Sequence, residues 1–141
     1  MMKSNLLLGA AIICLLTIVI MSSNNSPEII NIDSLTGQWI GLYKNSEIML
    51  EVKENNTCLL EFRDISSNDS KIFNGDCSIE YSKKPYTFIM TNILETTTSL
   101  YSIVLPINDN VIHISEFSNK WRLRPLVLTQ KNTIILEKII N

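Results

Sequence analysis

Nine short segments of this chain alternate apolar and polar residues with period two, and turn-forming residues separate them. The segments are GQWIGLY (37–43), EIMLEVK (47–53), CLLEFRD (58–64), KIFNGDCSIEYS (71–82), YTFIMTNI (86–93), SLYSIVLP (99–106), VIHISEF (111–117), RLRPLVLTQ (122–130) and TIILEKII (133–140). The connections KNS, ENN, ISSNDS, KKP, INDN and KN are short and rich in Asn, Asp, Ser and Lys, as tight turns require. No window carries a helical period. Short strands joined by tight turns pair with their sequence neighbours, so the pattern predicts an all-β, up-and-down antiparallel barrel of about eight or nine strands, with a β-sandwich as the alternative.

This strand-rich body follows an apolar leader. An uncharged run from Leu6 to Met21 comes after Lys3, and its 16 residues fall short of the roughly 20 that span a bilayer as a helix. Residues 1–23 are therefore read as a signal peptide or membrane anchor, with a mature start expected near Asn24. Cys14 is preceded by Ile12 and Ile13 and followed by more apolar residues, which does not fit a lipid-modified cysteine. Residues 24–33 form a polar linker and 34–141 the folded domain. The expected location is periplasmic or secreted, or anchored with the domain outside. With 12 basic against 14 acidic residues the chain has no electrostatic case for nucleic acid.

Export leaves Cys58 and Cys77 in an oxidising compartment. If the strands at 58–64 and 71–77 form a hairpin in which facing residue numbers sum to 135, Cys58 meets Cys77, Phe62 meets Phe73 and Asp64 meets Lys71 on one face. The other face then holds Leu59, Glu61 and Arg63 opposite Asp76, Asn74 and Ile72. That register predicts a Cys58–Cys77 disulfide worth about 3 kcal/mol in the chain-entropy account. A turn centred on Asn108 and Asp109 likewise pairs Leu105 with Ile112 and Ile103 with Ile114. These four would face the core, leaving His113 on the opposite face beside Val104.

Catalytic constellations are not found. His113 is the sole histidine and its parity turns it outward, so no histidine acid–base pair or multi-histidine metal site is expected. The glycines at 9, 37, 41 and 75 make no phosphate loop, and nucleophile-elbow, zincin and calcium-loop patterns are missing. Asp64, Asp69, Asp76 and Glu80 fall on strand edges and a turn, where solvated charge is the ordinary reading. Sequons at Asn24, Asn55 and Asn68 arise readily in a chain so rich in asparagine. The chain is accordingly expected to be non-enzymatic, with no cofactor and no metal.

A first strand that begins Gly37-x-Trp39 after an apolar residue, an antiparallel body, and an arginine on a late strand together resemble the calycin group of lipocalins, avidins and related small barrels. SLTGQW resembles the start of an avidin, and the run from GDCSIEYSKKPYTF to RLRP resembles bacterial exported lipocalin-like domains. The likeness covers residues 34 to 128. It implies that Gly37 lets the strand bend into the barrel while Trp39 closes the floor and stacks on a late-strand arginine or lysine. Arg124 is the expected partner, with Arg122 as substitute. Cys77 stands where such domains commonly have an aromatic, and the avidin ligand set is not recognisable, so biotin binding is not implied.

Aromatic and methyl-bearing positions expected to point inward, namely Tyr43, Phe62, Phe73, Phe88, Met90 and Tyr101, would line a site for one small apolar ligand or else fill the interior. The leading expectation is an exported lipocalin-like binding protein that holds a small apolar ligand. The alternative is an exported protein-binding module of inhibitor or immunity type. Membrane contact is expected through the N-terminal segment only.

Overall fold

A computed structural model describes residues 35–140. The leader, the linker, Cys14 and Asn24 lie outside them. The described chain is a closed antiparallel barrel of eight strands in sequence order. They are β1 (Gly37–Tyr43), β2 (Ser46–Val52), β3 (Thr57–Asp64), β4 (Ser70–Glu80), β5 (Tyr86–Thr91), β6 (Leu100–Asn108), β7 (Val111–Ser115) and β8 (Thr133–Lys138). Closure rests on a short seam, where Trp39 faces Lys138, Ile40 faces Glu137, and the Ile139 amide donates to the Gln38 carbonyl at 2.8 Å. Closing the sheet removes its free edges, so each strand has a neighbour on both sides.

The ninth expected strand does not form. Residues 122–130 belong instead to a long β7–β8 connection containing one 3-10 turn, Trp121–Leu123. Pro125 has no amide proton to give to a ladder, and Leu123 and Leu126 are both more than two-thirds exposed, so the alternation here does not separate a wet face from a dry one. The result is a barrel of eight strands and not a sandwich.

Strand parity is as expected except in β6, and two registers differ. In the β3–β4 hairpin facing numbers sum to 133, so Cys58 meets Gly75, Leu60 meets Phe73 and Phe62 meets Lys71. The cause is the tip: Asp64 accepts from the Ser66 and Ser67 amides at 2.8 and 3.0 Å, and Asn68 sits at φ 58°, which closes the turn around Asp64–Asp69 two residues tighter than assumed. A shift of two keeps every side chain on its expected face and changes only its partner.

In the β6–β7 hairpin a bulge between Pro106 and Asn108 shifts the pairing by one, so Val104 meets Ile114 and Leu105 meets His113. An odd shift exchanges faces. Val104 takes the core position expected of Leu105, while His113 remains on the outer face between Leu105 and Ile135.

The inner face carries the core, with Ile48, Leu50, Leu60, Phe88, Met90, Ile112, Ile114, Ile134 and Leu136 no more than 1% exposed. Ser102 and Ser115 are polar residues within this zone, and their hydroxyls lie 2.8 Å apart while Ser115 Oγ accepts from the Ile103 amide at 3.1 Å. Their pairing satisfies backbone groups where β7 leaves the β6 ladder. Beyond it the register slips by one, with Tyr101 pairing Ser118, and the slip turns Phe117 toward the interior.

Candidate functional site

An up-and-down barrel has two ends, and here they differ. At the end where β1 begins and β8 finishes, Trp39 is wholly buried and its Nε1 donates to the Leu35 carbonyl at 2.8 Å. Lys138, its cross-strand partner, holds Nζ 5.2 Å from the Trp39 ring centroid. Gly37 has φ +130°, and a Cβ there would stand 2.7 Å from Lys138 Cε, so glycine both permits the bend and clears the path of the lysine. The floor is therefore built as the resemblance implies, but with Lys138 in place of Arg124. Arg124 stacks its guanidinium 3.6 Å from the Trp121 ring centroid on the irregular connection and has no role at Trp39. Arg122 is exposed on the same connection.

The expected ligand-lining positions divide into three groups. Phe62, Phe73, Phe88 and Met90 face inward, and the interior aromatics touch edge to face, with centroids 6.2 Å apart for Phe62–Phe73 and 6.1 Å for both Phe62–Phe117 and Phe88–Phe117. Phe117, which the sequence reading did not single out, is the keystone of this cluster. Its signal was visible only as the last residue of VIHISEF. Tyr43 lies at the rim. Tyr101 is a correction, since Leu100, Ser102 and Val104 hold the inner positions of β6 and Tyr101 points outward to meet Trp121 edge-on at 5.3 Å.

How much room the interior leaves follows from accessibility. A water-sized void against a side chain would leave accessible surface on it, yet Trp39, Leu60, Phe88, Met90, Val104, Ile114 and Leu136 have none. Eight strands enclose a space that side chains can fill, and at the level of these residues they do, while the inward Phe62, Phe117 and Leu100 keep some exposure and the last two wall an open recess. A cavity of about 250 Å³ lies instead by the β3–β4 ladder, with Lys53, Cys58, Asn74, Asp76 and Asn92 among its walls.

Cys58 and Cys77 are buried free thiols, which corrects the expected disulfide. With Cys58 opposite Gly75, the two cysteines are diagonal and not facing neighbours. The neighbouring Cys77 side chain, together with burial, pushes the Cys58 thiol up. Among the described residues no cluster of three or more potential metal ligands occurs. The expected carboxylates do not converge either. Asp64 ties down its turn, and Asp76 accepts from Asn92 Nδ2 at 2.6 Å. Asp69 lies in the β3–β4 turn and Glu80 ends β4, so the two stand at opposite ends of that strand.

The opposite end is capped by the β7–β8 connection. At its root Glu116 Oε1 receives Lys44 Nζ at 2.6 Å and the Tyr43 hydroxyl, which also lies against the Lys131 carbonyl. Lys44 first, then Tyr43, holds the Glu116 carboxyl below its ordinary value of 4.5, while Glu116 raises the Tyr43 phenol. A depressed carboxylate contributes stability that is present above the ordinary value and lost as pH falls through the folded one. Thermal melts of Glu116→Gln should therefore lie below those of the parent at pH 7, with the difference shrinking as pH falls below 4.5. A difference that did not shrink at all on acidification below pH 4.5 would contradict this role.

Beyond Glu116, the connection displays Trp121, Leu123, Leu126 and Val127 at 41%, 69%, 68% and 62% exposure. A recess of about 400 Å³ at its foot is walled by Leu100, Glu116, Phe117, Ser118, Leu123 and Pro125.

The chain is thus a closed eight-stranded antiparallel barrel, consistent with a calycin-like small barrel. No protein family, curated protein or solved structure matches it.

Proposed function

We propose that this chain is an exported, non-enzymatic, lipocalin-like module that binds a protein partner with its outer surface and does not carry a ligand in its interior. The observation carrying this reading is the absence of accessible surface on the central inward residues, Leu60, Phe88, Met90 and Ile114, which occupy the place a carrier keeps for cargo. The apolar connection at the capped end supports it, because contiguous exposed apolar side chains on a soluble domain mark interaction sites. The calycin character is supported by the Gly37–Trp39–Lys138 floor. Export is supported by the apolar run ahead of the domain, and the proposed location is periplasmic or secreted, or membrane-anchored with the domain outside.

The test is native mass spectrometry of the chain isolated from its own host compartment without detergent. The reading expects a stoichiometric protein complex in which the chain carries no small molecule. A monomer that retains a small apolar compound would overturn it and restore the ligand-carrier alternative.

A further inference from the structure

Resting on that reading, we infer that the β7–β8 connection is the docking surface and that its partner is a protein presenting an acidic face around apolar side chains. Charge is the first argument. Between Glu116 and Glu137 the chain has four cations, Lys120, Arg122, Arg124 and Lys131, and no carboxylate. Taking those four from the 12 basic residues leaves 8 against 14 acidic ones elsewhere, so this connection is a cationic island on an otherwise acidic protein. An acidic surface is attracted to this connection and repelled by the rest, which fixes the orientation of encounter.

Composition and order are the second argument. Trp, Arg and Leu stand together in WRLRPLV, and Trp and Arg are the residues that most often dominate protein interfaces. They are held in place before any partner arrives. Trp121 rests edge-on against Tyr101 at 5.3 Å and under Arg124 at 3.6 Å, and Arg124 also donates to the Trp121 carbonyl at 3.1 Å. Further along, Asn132 donates to the Val127 carbonyl at 3.1 Å and accepts from the Thr129 amide at 2.8 Å. Prior ordering lowers the entropy cost of binding.

Relief is the third argument, and it separates a protein from a lipid surface. Trp121 is engaged by Tyr101 and Arg124 and is not free to insert as an interfacial anchor. Leu123 rises beside the 400 Å³ recess that it shares with Pro125 and Phe117, and a knob next to a hole suits side chains better than a smooth bilayer. The connection also lies at the end of the barrel opposite to the start of β1.

A photoreactive phenylalanine analogue placed at Leu126 in the full chain, expressed in its host, tests the inference, with the same group at Ile107 as control. Ile107 is 49% exposed near the β6–β7 turn, at the other end of the barrel. The expected result is one protein adduct from position 126, with Asp or Glu flanking the cross-linked site, and none from 107. The adduct should fall at least about tenfold in the exposed charge reversals Lys120→Glu and Arg122→Glu, because like charges would then oppose. It should also weaken in about 0.5 M salt, where screening acts within about 4 Å.

Adducts with lipid, with a second copy of this chain, or equally from 107 would overturn the inference, as would an adduct indifferent to charge reversal. A purified complex that gives no adduct at 126 sinks the docking surface alone. A chain with no protein partner by native mass sinks the module reading with it.

Discussion

Trp39→Ala is expected to leave the barrel barely folded. The side chain is fully buried, and truncating a buried tryptophan costs roughly 3 to 5 kcal/mol against typical domain stabilities of about 5 to 15 kcal/mol. Two further losses accompany the cavity. The Leu35 carbonyl loses its indole donor while remaining buried, and Lys138 loses the ring face beneath its ammonium. Trp39→Phe keeps most of the plug but not the hydrogen bond and should cost about 1 to 3 kcal/mol. Denaturant unfolding measures both. In a double-mutant cycle Trp39 should couple to Lys138 by at least about 0.5 kcal/mol and to Arg124 not at all. Trp121→Ala is the contrast, since that ring is 41% exposed and its loss should cost about 1 kcal/mol. Equal, small losses at the two tryptophans would contradict the assignment of Trp39 as the floor.

Gly41→Ala should open the barrel at its seam. A Cβ at Gly41 would stand 2.1 Å from the Ile135 carbonyl oxygen and 2.9 Å from Leu136 Cδ2. The oxygen belongs to backbone and has no rotamer to escape by. Relief must come from moving β8 away from β1, and the seam there has just two facing residue pairs. Overpacking ordinarily costs about 1 to 3 kcal/mol, and a clash with backbone at a closing seam belongs at or above the top of that range. Amide exchange should localise the damage. Ile139, which donates to Gln38, should lose protection before the β2–β3 hairpin does. Gly41→Ala with parent-like stability and protection would show that the strands are not so close.

Most of the architecture was legible because period-two patterning reports which face a residue occupies. Strand β1 was read to its exact bounds, and the inward positions of Phe62, Phe73, Phe88 and Met90 needed nothing but parity. Pairing is less legible because it depends on turns. Asp64 and Asn68 tighten one hairpin and the bulge after Pro106 slips another, and neither event leaves a mark in the apolar pattern. Hence the facing cysteines became diagonal thiols, and Tyr101 left the interior.

The 122–130 segment misled for a different reason. Its alternation of Arg and Leu satisfies the strand template, but Pro125 and the backbone bond from the Arg124 amide to Trp121 hold it in a turn. Once that strand is removed, the late strand of the barrel is β8, and its single inward cation beside Trp39 is Lys138. Phe117 went unnoticed because a one-residue slip, invisible in the sequence, turns it into the barrel.

The middle of the barrel is filled by its own side chains, and methyl NMR during titration with a small apolar probe such as benzene tests this most directly. The account predicts that the methyl signals of Leu60, Met90 and Ile114 stay where they are up to saturation of the probe. Saturable shifts confined to those interior methyls would contradict it.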